Sequence, residues 1–195
     1  MTAGSFHAHA MAIERVEQRL RKVTAALDAA GVDYAVIGGN AVATWVTKAD
    51  PSAARATVDV DLLARRSDLD RITAVFASLG FRREDLKSIT LFVDPEEPSR
   101  RSGVHLVWAG EKVRPSYDEP APDVSEAVRS EDGFRVLDLA PLVRMKLTSF
   151  RDKDRVHIAD LLGVGLITDD IRDALPPLLR ERLADVEASR DPDDF

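Results

Sequence analysis

The chain has 195 residues, 45% of them hydrophobic, no cysteine and a formal net charge of −7. This length predicts one domain with a proper core, and the lack of cysteine excludes disulfides, thiol catalysis and thiolate metal sites. The negative charge disfavours general binding to nucleic acid, and no apolar run approaches the roughly 20 residues of a membrane helix. Since the first residues also lack the pattern of a secretory signal, we expect a soluble, cytoplasmic protein without a membrane partner.

Apolar periodicity and turn residues predict the order of the elements along the chain. Residues 1–11 are small and polar, and we expect them to be disordered. The predicted helices lie at 12–30, 40–47, 68–79 (capped by Ser67), 141–150, 154–163 and 169–189. The predicted strands lie at 33–37, 57–64, 88–93, 104–108 and, at an edge, 134–137. This mixture predicts an α/β fold (α+β in strict terms), with a core over 12–140 and a helical C-terminal region over 141–195 packed on it.

A diglycine turn follows the first predicted strand. Gly38 and Gly39 allow the backbone to come close to a ligand, and Asn40 is placed to cap the helix that follows. A helix N-terminus with free N–H groups is a natural phosphate site. We therefore expect phosphate binding at this turn, although a plain strand-to-helix turn explains two glycines equally well.

Two aspartates lie two residues apart in the next predicted strand. Because side chains alternate between the faces of a strand, Asp59 and Asp61 point to the same face. The apolar residues Val58, Val60 and Leu62 point to the opposite face. Two ionised carboxylates repel each other, and a divalent cation between them removes that repulsion. A metal here and phosphate at the turn would together hold a nucleoside triphosphate; the alternative is two solvent-facing aspartates on an edge strand.

Two blocks of sequence resemble a known superfamily. The pattern G-G, a spacer and R-x-T-x-D-x-D, over residues 38–61, resembles the signature of the nucleotidyltransferases, which have the fold of DNA polymerase beta. Residues 142–155, followed by Asp160-Leu161, are similar to the branch that contains the AbiEii-type toxins of bacterial toxin–antitoxin and phage-defence systems. The resemblance implies a mixed β-sheet flanked by helices.

The resemblance also implies an activity. It implies transfer of a nucleotidyl group from an NTP to a hydroxyl of RNA, a protein or a small molecule. Asp59 and Asp61 would hold Mg²⁺ (or Mn²⁺), and Gly38, Gly39 and Asn40 would bind the phosphates without the Gly-Ser hydroxyl frequent in the family. A toxin–antitoxin role would add a cognate antitoxin-like protein, docked by the acidic tail.

Three basic side chains are candidates for binding the phosphates. Arg55 matches a basic position of the family and can act as a bidentate donor, with a solvated loop arginine as the equal alternative. Lys146 lies on an otherwise apolar predicted helix, where a lysine either reaches out to solvent or serves a site. Lys146 and Arg151 match a lysine and an arginine that the AbiEii-like branch places near the nucleotide phosphates.

A third carboxylate, which nucleotidyltransferases normally carry beside the aspartate pair, is not found. The strand that should carry it spans residues 103–108, and its polar residue is His105. His157 stands at a second position where an acid is expected, while Asp160 matches a family position, so both are candidates for supporting the site. Glu111 follows the strand but is out of register.

The histidine at position 105 leaves several interpretations open. As a neutral base it can take the proton of the acceptor hydroxyl. As a ligand it can hold a softer metal together with Asp59 and Asp61. Alternatively, the protein is a catalytically degenerate nucleotidyltransferase that binds a nucleotide or a partner without turnover, and His105 is a structural residue.

Overall fold

The computed structural model describes residues 3–86 and 89–190, with side chains from residue 10 onward. Its helices are α1 (Ala3–Ala29), α2 (Gly38–Ala49), α3 (Leu69–Ser78), α4 (Leu139–Ser149), α5 (Asp152–Gly163), α6 (Asp169–Asp173) and α7 (Pro177–Ala188). Its strands are β1 (Tyr34–Ile37), β2 (Val60–Ala64), β3 (Arg82–Leu86), β4 (Ile89–Val93), β5 (Val104–Trp108), β6 (Ala127–Arg129) and β7 (Arg135–Leu137). Within these ranges, no helix has both the length and the apolar character needed to cross a membrane.

The strands form one mixed sheet in the order β3-β4-β5-β2-β1-β7-β6. The pairs β1–β7 and β2–β5 are parallel, and the remaining pairs are antiparallel. The central strand β2 places Asp61 opposite Ile37 of β1 on one side and opposite His105 of β5 on the other. The mixed sheet with its helices confirms the predicted α/β fold, and the register brings the two glycines, the acids and the histidine to one end of the sheet.

One hydrophobic core connects the sheet with the helices on it. All residues of β1 are buried, as are Val16, Leu20, Val23 and Leu27 of α1, whose spacing of three and four places them on one helical face. Buried side chains of α4, α5 and α7 belong to the same core. Because one core spans both parts of the described chain, no boundary is visible near residue 140, and the division into a core and a helical C-terminal region stays a prediction.

The N-terminal helix is longer than the sequence predicted. Helix α1 begins at Ala3, so the prediction of disorder over residues 1–11 is wrong for residues 3–11, while residues 1 and 2 lie outside the described range. Alanine has the highest helix propensity of all residues, and the alanine-rich segment before Ala12 continues the amphipathic helix backwards.

Two further local predictions are wrong. Residues 66–68 form a short 3₁₀ turn, and α3 begins at Leu69 without a capping hydrogen bond from Ser67. The strand β7 is not at an edge, because β6 pairs with its outer side. The three residues of β6 are too few to show a clear alternation of polar and apolar side chains.

Candidate functional site

The diglycine turn lies directly against the Asp61 side chain. Gly38 has a φ of +70°, and a Cβ added there would lie 2.1 Å from Asp61 Oδ2. A Cβ added at Gly39 would lie 2.8 Å from Thr57 Oγ1. Position 38 therefore needs glycine for its left-handed backbone as well as for space, and the close approach fixes the first turn of α2 beside an acidic group.

Asn40 has a different role from the predicted one. Helix α2 begins at Gly38, and its N-cap residue, Ile37, makes no side-chain capping bond. The Asn40 Nδ2 atom instead donates a hydrogen bond of 2.7 Å to the backbone carbonyl of Asp59. The capping prediction is wrong because the helix starts two residues earlier, and Asn40 ties the segment before β2 to α2.

Asp59, Asp61 and His105 form a group in which each side chain contributes one potential ligand atom, and these atoms all lie within 4.8 Å of one another. The Nδ1 atom of His105 is 3.3 Å from Asp61 Oδ1 and 3.7 Å from Asp59 Oδ2. About one fifth of each side chain is exposed. Thr57 Oγ1 donates to Asp59 Oδ1 at 3.1 Å and so orients this carboxylate.

The predicted strand alternation holds only in part. Asp59 lies one residue before β2, although its carboxylate still reaches the same space as that of Asp61. Val60 and Leu62 are buried as predicted, whereas Val58 is 61% exposed. The prediction for Val58 is wrong because the pairing of β2 starts only at Val60.

His105 and Lys146 stabilise the negative charge of Asp61. Burial acts to raise the pKa of the Asp61 carboxyl, but the hydrogen bond from His105 and the positive charge of Lys146 outweigh it, so the pKa lies below its usual value. The hydrogen bond to Asp61 raises the pKa of His105 above its usual value, against the effect of burial, and the Arg100 carbonyl acts in the same direction. Asp61 is therefore a ready anion at neutral pH.

A buried ion cluster joins α4 and α5 beside the same cleft. Lys146 Nζ lies 3.3 Å from Asp154 Oδ1, while Arg151 Nε and Ser149 Oγ each donate to Asp154 Oδ2 at 2.7 Å. Lys146 is 4% exposed and Asp154 is fully buried. We call Lys146, Ser149, Arg151 and Asp154 the Lys146–Asp154 cluster. Lys146 thus does not extend into solvent, and its first partner is a carboxylate of the protein.

The environment of the cluster shifts the pKa values of its members. Burial acts to raise the pKa of Asp154, but the hydrogen bond from Arg151 and the charge of Lys146 outweigh it and lower that pKa to about 2. Burial lowers the pKa of Lys146 below its usual value, against the attraction of Asp154 and Asp61. Asp154 is the buried centre of the cluster, and its Oδ2 atom also accepts from the backbone N–H of Arg151 at 3.2 Å, which caps the start of α5.

The main cleft has a volume of about 570 Å³ and brings most of the predicted site residues together. The predicted residues that line it are Gly38, Asp59, Asp61, His105, Lys146 and Arg151. Trp108 and Tyr117 also line it. Glu111 lines the same cleft, and its carboxylate forms an ion pair with Arg66 at 2.6 Å.

A smaller cavity of about 260 Å³ lies on the other side of the turn. The predicted residues that line it are Gly39, Arg55, Asp59, His157 and Asp160. Arg55 Nε donates to Asp160 Oδ1 at 2.9 Å, so this arginine is already paired with α5. Lys153 and Asp59 line both cavities, which are therefore neighbours.

His157 is buried at one of its ring nitrogens. Among the described residues, its Nδ1 atom has no hydrogen-bond partner. Burial, followed by repulsion from Lys146, lowers the pKa of His157 to about 4. The ring is therefore neutral at pH 7, and it does not replace the acid expected at this position.

Three functional side chains were not singled out from the sequence. Thr57 orients Asp59, Asp154 anchors Lys146, and Lys153 lines both cavities. Thr57 is part of the R-x-T-x-D-x-D pattern, and a buried lysine on an apolar helix requires a buried counter-ion. These two signals were present in the sequence, whereas the position of Lys153 depends on how α5 packs.

The residues of the site fit a divalent cation. Two carboxylates and an imidazole nitrogen converge, and no ammonium or guanidinium group is hydrogen-bonded to either carboxylate within the described residues. Carboxylate oxygens suit Mg²⁺ and Mn²⁺, while an imidazole nitrogen suits the later transition metals. Asp59, Asp61 and His105 would hold such an ion.

Comparison with known proteins identifies the fold. The sequence matches no protein-family model and no curated protein. The crystal structure of ANT(2'')-Ia in complex with adenylyl-2''-tobramycin is similar, with a TM-score of 0.54 and 16% identity over 88% of this chain and 98% of that one. The Megavirus polyadenylate synthase gives 0.50 and 11% over 86% of this chain and 39% of that one. At such low identity the likeness concerns the fold, which is that of nucleotidyltransferases.

Proposed function

We propose that this chain, built on a nucleotidyltransferase fold, transfers a nucleotidyl group from a nucleoside triphosphate to a hydroxyl acceptor with the help of Mg²⁺ or Mn²⁺. The observation that carries the proposal is the contact between Gly38 and the Asp61 carboxylate at the start of α2. This contact places carboxylates that suit a metal ion beside the backbone N–H groups at the start of α2, which suit a phosphate. A triphosphate that bridges the two has chemical partners at both ends.

Each residue would have a distinct task. Asp59 and Asp61 hold the cation, which when bound stabilises the charge of the phosphates and makes the acceptor hydroxyl more acidic. The backbone N–H groups of Gly38 and Gly39 bind phosphate oxygens at the positive end of α2. Lys146 attracts Asp61 electrostatically, and its positive charge also favours a phosphate in the cleft. It contributes through this long-range attraction rather than through direct contact with the nucleotide.

A labelling experiment tests this function. The protein is incubated with each of the four α-labelled nucleoside triphosphates, Mn²⁺ or Mg²⁺ and fractions of a cell extract, and transfer of the label is measured. We expect a labelled product and released pyrophosphate with wild type and none with Asp61→Asn. Glu111→Gln removes a carboxylate of the same cleft that is paired with Arg66, and it should retain transfer. If none of the four nucleotides binds to the protein or labels a product, the proposal is overturned.

The close contacts of His105 with the two aspartates favour a second candidate function. A protonated His105 compensates the charge of Asp61 without any metal, as expected for a catalytically degenerate nucleotidyltransferase that binds a nucleotide or a partner. This alternative predicts that nucleotide protects wild type from thermal unfolding while no label is transferred. Any transfer that Asp61→Asn abolishes rules it out.

The proposal allows three classes of acceptor, and each leaves a different labelled product. RNA, protein and small-molecule hydroxyls are distinguished by treating the labelled product with ribonuclease or protease, or by its mass. A role in a toxin–antitoxin system, in the manner of the AbiEii-type branch, predicts that induced expression arrests growth and that a cognate antitoxin-like protein relieves the arrest. Growth unaffected by the wild-type chain, with transfer intact, would separate the enzyme from that role.

A further inference from the structure

We propose that His105 is a metal ligand through Nδ1, and that the site for this reason prefers a first-row transition-metal dication such as Mn²⁺ to Mg²⁺. The inference rests on the proposed function, because it concerns the cation of the same site. His105 then occupies the position of the missing carboxylate as a metal ligand, and it does not act as the general base.

The first argument is the tautomer of the ring. His105 Nε2 lies 2.9 Å from the backbone carbonyl oxygen of Arg100. A carbonyl only accepts hydrogen bonds, so Nε2 must carry a hydrogen. In the neutral ring the lone pair is then on Nδ1, which is the atom that faces Asp59 and Asp61. A carbonyl that fixes the non-ligating nitrogen is the usual companion of a metal-bound histidine.

The second argument is that the carbonyl is held in place from outside the site. The segment that carries it, residues 94–102, is tied to α1 by buried Arg19, whose Nε donates to Asp94 at 2.7 Å. Arg100 itself donates to Glu84 of β3 at 2.6 Å. These contacts hold the segment against α1 and β3 independently of any ion, and the Arg100 carbonyl within it sets the direction of the Nδ1 lone pair.

The third argument is the position of the ring in the sheet. His105 pairs directly with Asp61 in the parallel β2–β5 register, so the two side chains stand side by side on one face. Their ligand atoms are 3.3 Å apart, a separation that suits neighbouring ligands of one ion. The arrangement depends on backbone hydrogen bonds of a central strand and not on a loop.

The donor set decides the metal class. Mg²⁺ takes oxygen ligands and keeps several of its waters, whereas nitrogen ligands increase affinity along the series of first-row transition metals that begins at Mn²⁺. Two carboxylates and one imidazole are therefore a better site for Mn²⁺ than for Mg²⁺. With Nε2–H bound to a carbonyl and Nδ1 bound to the ion, His105 has no lone pair left to accept the acceptor's proton.

Mn²⁺ binding to the full chain, without nucleotide, tests the inference. Mn²⁺ affinity is measured by titration followed by electron paramagnetic resonance, Mg²⁺ affinity by competition, and directly bound nitrogen by pulsed resonance of the Mn²⁺ complex. We expect a nitrogen coupling in wild type and a preference for Mn²⁺ over Mg²⁺ of about tenfold or more. In His105→Asp the coupling disappears and the preference falls towards unity, because the site now offers three carboxylates.

Matched variants make each outcome decisive. His157→Gln removes the histidine of the neighbouring cavity and should keep the nitrogen coupling, and His105→Gln repeats the test if His105→Asp does not fold. Mn²⁺ bound by wild type without nitrogen coupling, or an unchanged preference in both His105 variants, would overturn the inference. In that case loss of Mn²⁺ binding in Asp61→Asn would leave the proposed function standing. No Mn²⁺ binding by wild type would overturn the inference alone, because nucleotide labelling tests the proposed function separately.

Discussion

The Lys146–Asp154 cluster and the Asp59–Asp61–His105 group both bring ionisable side chains together, but only the first fills the hydrogen-bonding capacity of its carboxylate. The buried Asp154 accepts hydrogen bonds from Lys146, Ser149 and both the backbone and side chain of Arg151, which uses its acceptor capacity of about four lone pairs. Asp59 and Asp61 are partly exposed, and each accepts only one side-chain hydrogen bond from the described residues. The difference shows which cluster holds the fold together and which is open to a ligand.

The largest expected effect comes from breaking the closed cluster. Asp154→Asn leaves Lys146 buried beside a neutral amide, and we expect the free energy of unfolding to fall by about 3–5 kcal/mol. Denaturation in urea, followed by circular dichroism, measures the change. Asp152→Asn, an exposed neighbour at the start of α5, should cost less than about 1 kcal/mol. Equal losses in the two variants would contradict the structural role of the cluster.

The contact between the turn and the open group is broken by Gly38→Ala. The left-handed backbone costs about 1–2 kcal/mol, and the clash with Asp61 adds about 1–3 kcal/mol. Gly110→Ala is the matched control, because its φ is +73° but nothing lies within 4 Å of the added Cβ. We expect only the first variant to lose stabilisation by Mn²⁺ in a thermal melt. If both variants bind Mn²⁺ equally, the close contact is not needed for the site.

The influence of the closed cluster on its surroundings can be read at His157. Its pKa is lowered from 6.5 to about 4 by burial and by Lys146. Between these values the unfolded chain binds the proton and the folded chain does not, so stability is complete above pH 6.5 and is lost as the pH falls towards 4. The full change in pKa corresponds to about 3 kcal/mol, and because solvent screens this partly exposed ring we expect a loss of about 2 kcal/mol, measured by urea denaturation across this interval. His157→Gln should flatten the profile, and an identical slope in the variant would contradict this assignment.

The smallest effect on the fold is expected for Asp59→Asn. Its amide oxygen can still accept from Thr57 and the charge repulsion within the open group decreases, so stability without metal should change by less than about 0.5 kcal/mol. In wild type, Mn²⁺ at a hundred times its dissociation constant should add about 2.7 kcal/mol, and in the variant this gain should disappear. A large loss of stability without metal would show that the open group is structural as well.

The sequence predicted the parts of the site that follow from local pattern and strand pairing. Gly38 and the acid pair belong to one continuous segment, and His105 is the polar residue of a strand that pairs with β2. The contacts of Arg55 with Asp160 and of Asn40 with Asp59 were not predicted. The first depends on how α5 packs beside the loop before β2, and the second on how α2 packs beside the same loop; side-chain periodicity specifies neither.

The burial of Asp154 was missed for a related reason. A sequence shows an acid near several basic residues at the start of α5, and a surface ion pair is the ordinary interpretation of that pattern. Only the packing of α4 against α5 removes the carboxylate from water and places Lys146 on it. The role of Asn40 was missed because α2 begins two residues before the predicted start, at Gly38. Asn40 then lies inside the helix, where its side chain contacts the Asp59 carbonyl and does not cap the helix.

One row of the sheet runs from Ile37 through Asp61 and His105 to Leu91. Its first member precedes the turn, its last is a buried apolar residue, and the two between them hold ligand atoms. Exchange of the side chain at position 105 would thus alter the chemistry of the site while the hydrogen-bonded ladder keeps its dimensions. In such a sheet, a single substitution can change the preferred ion while the strand pairing stays the same.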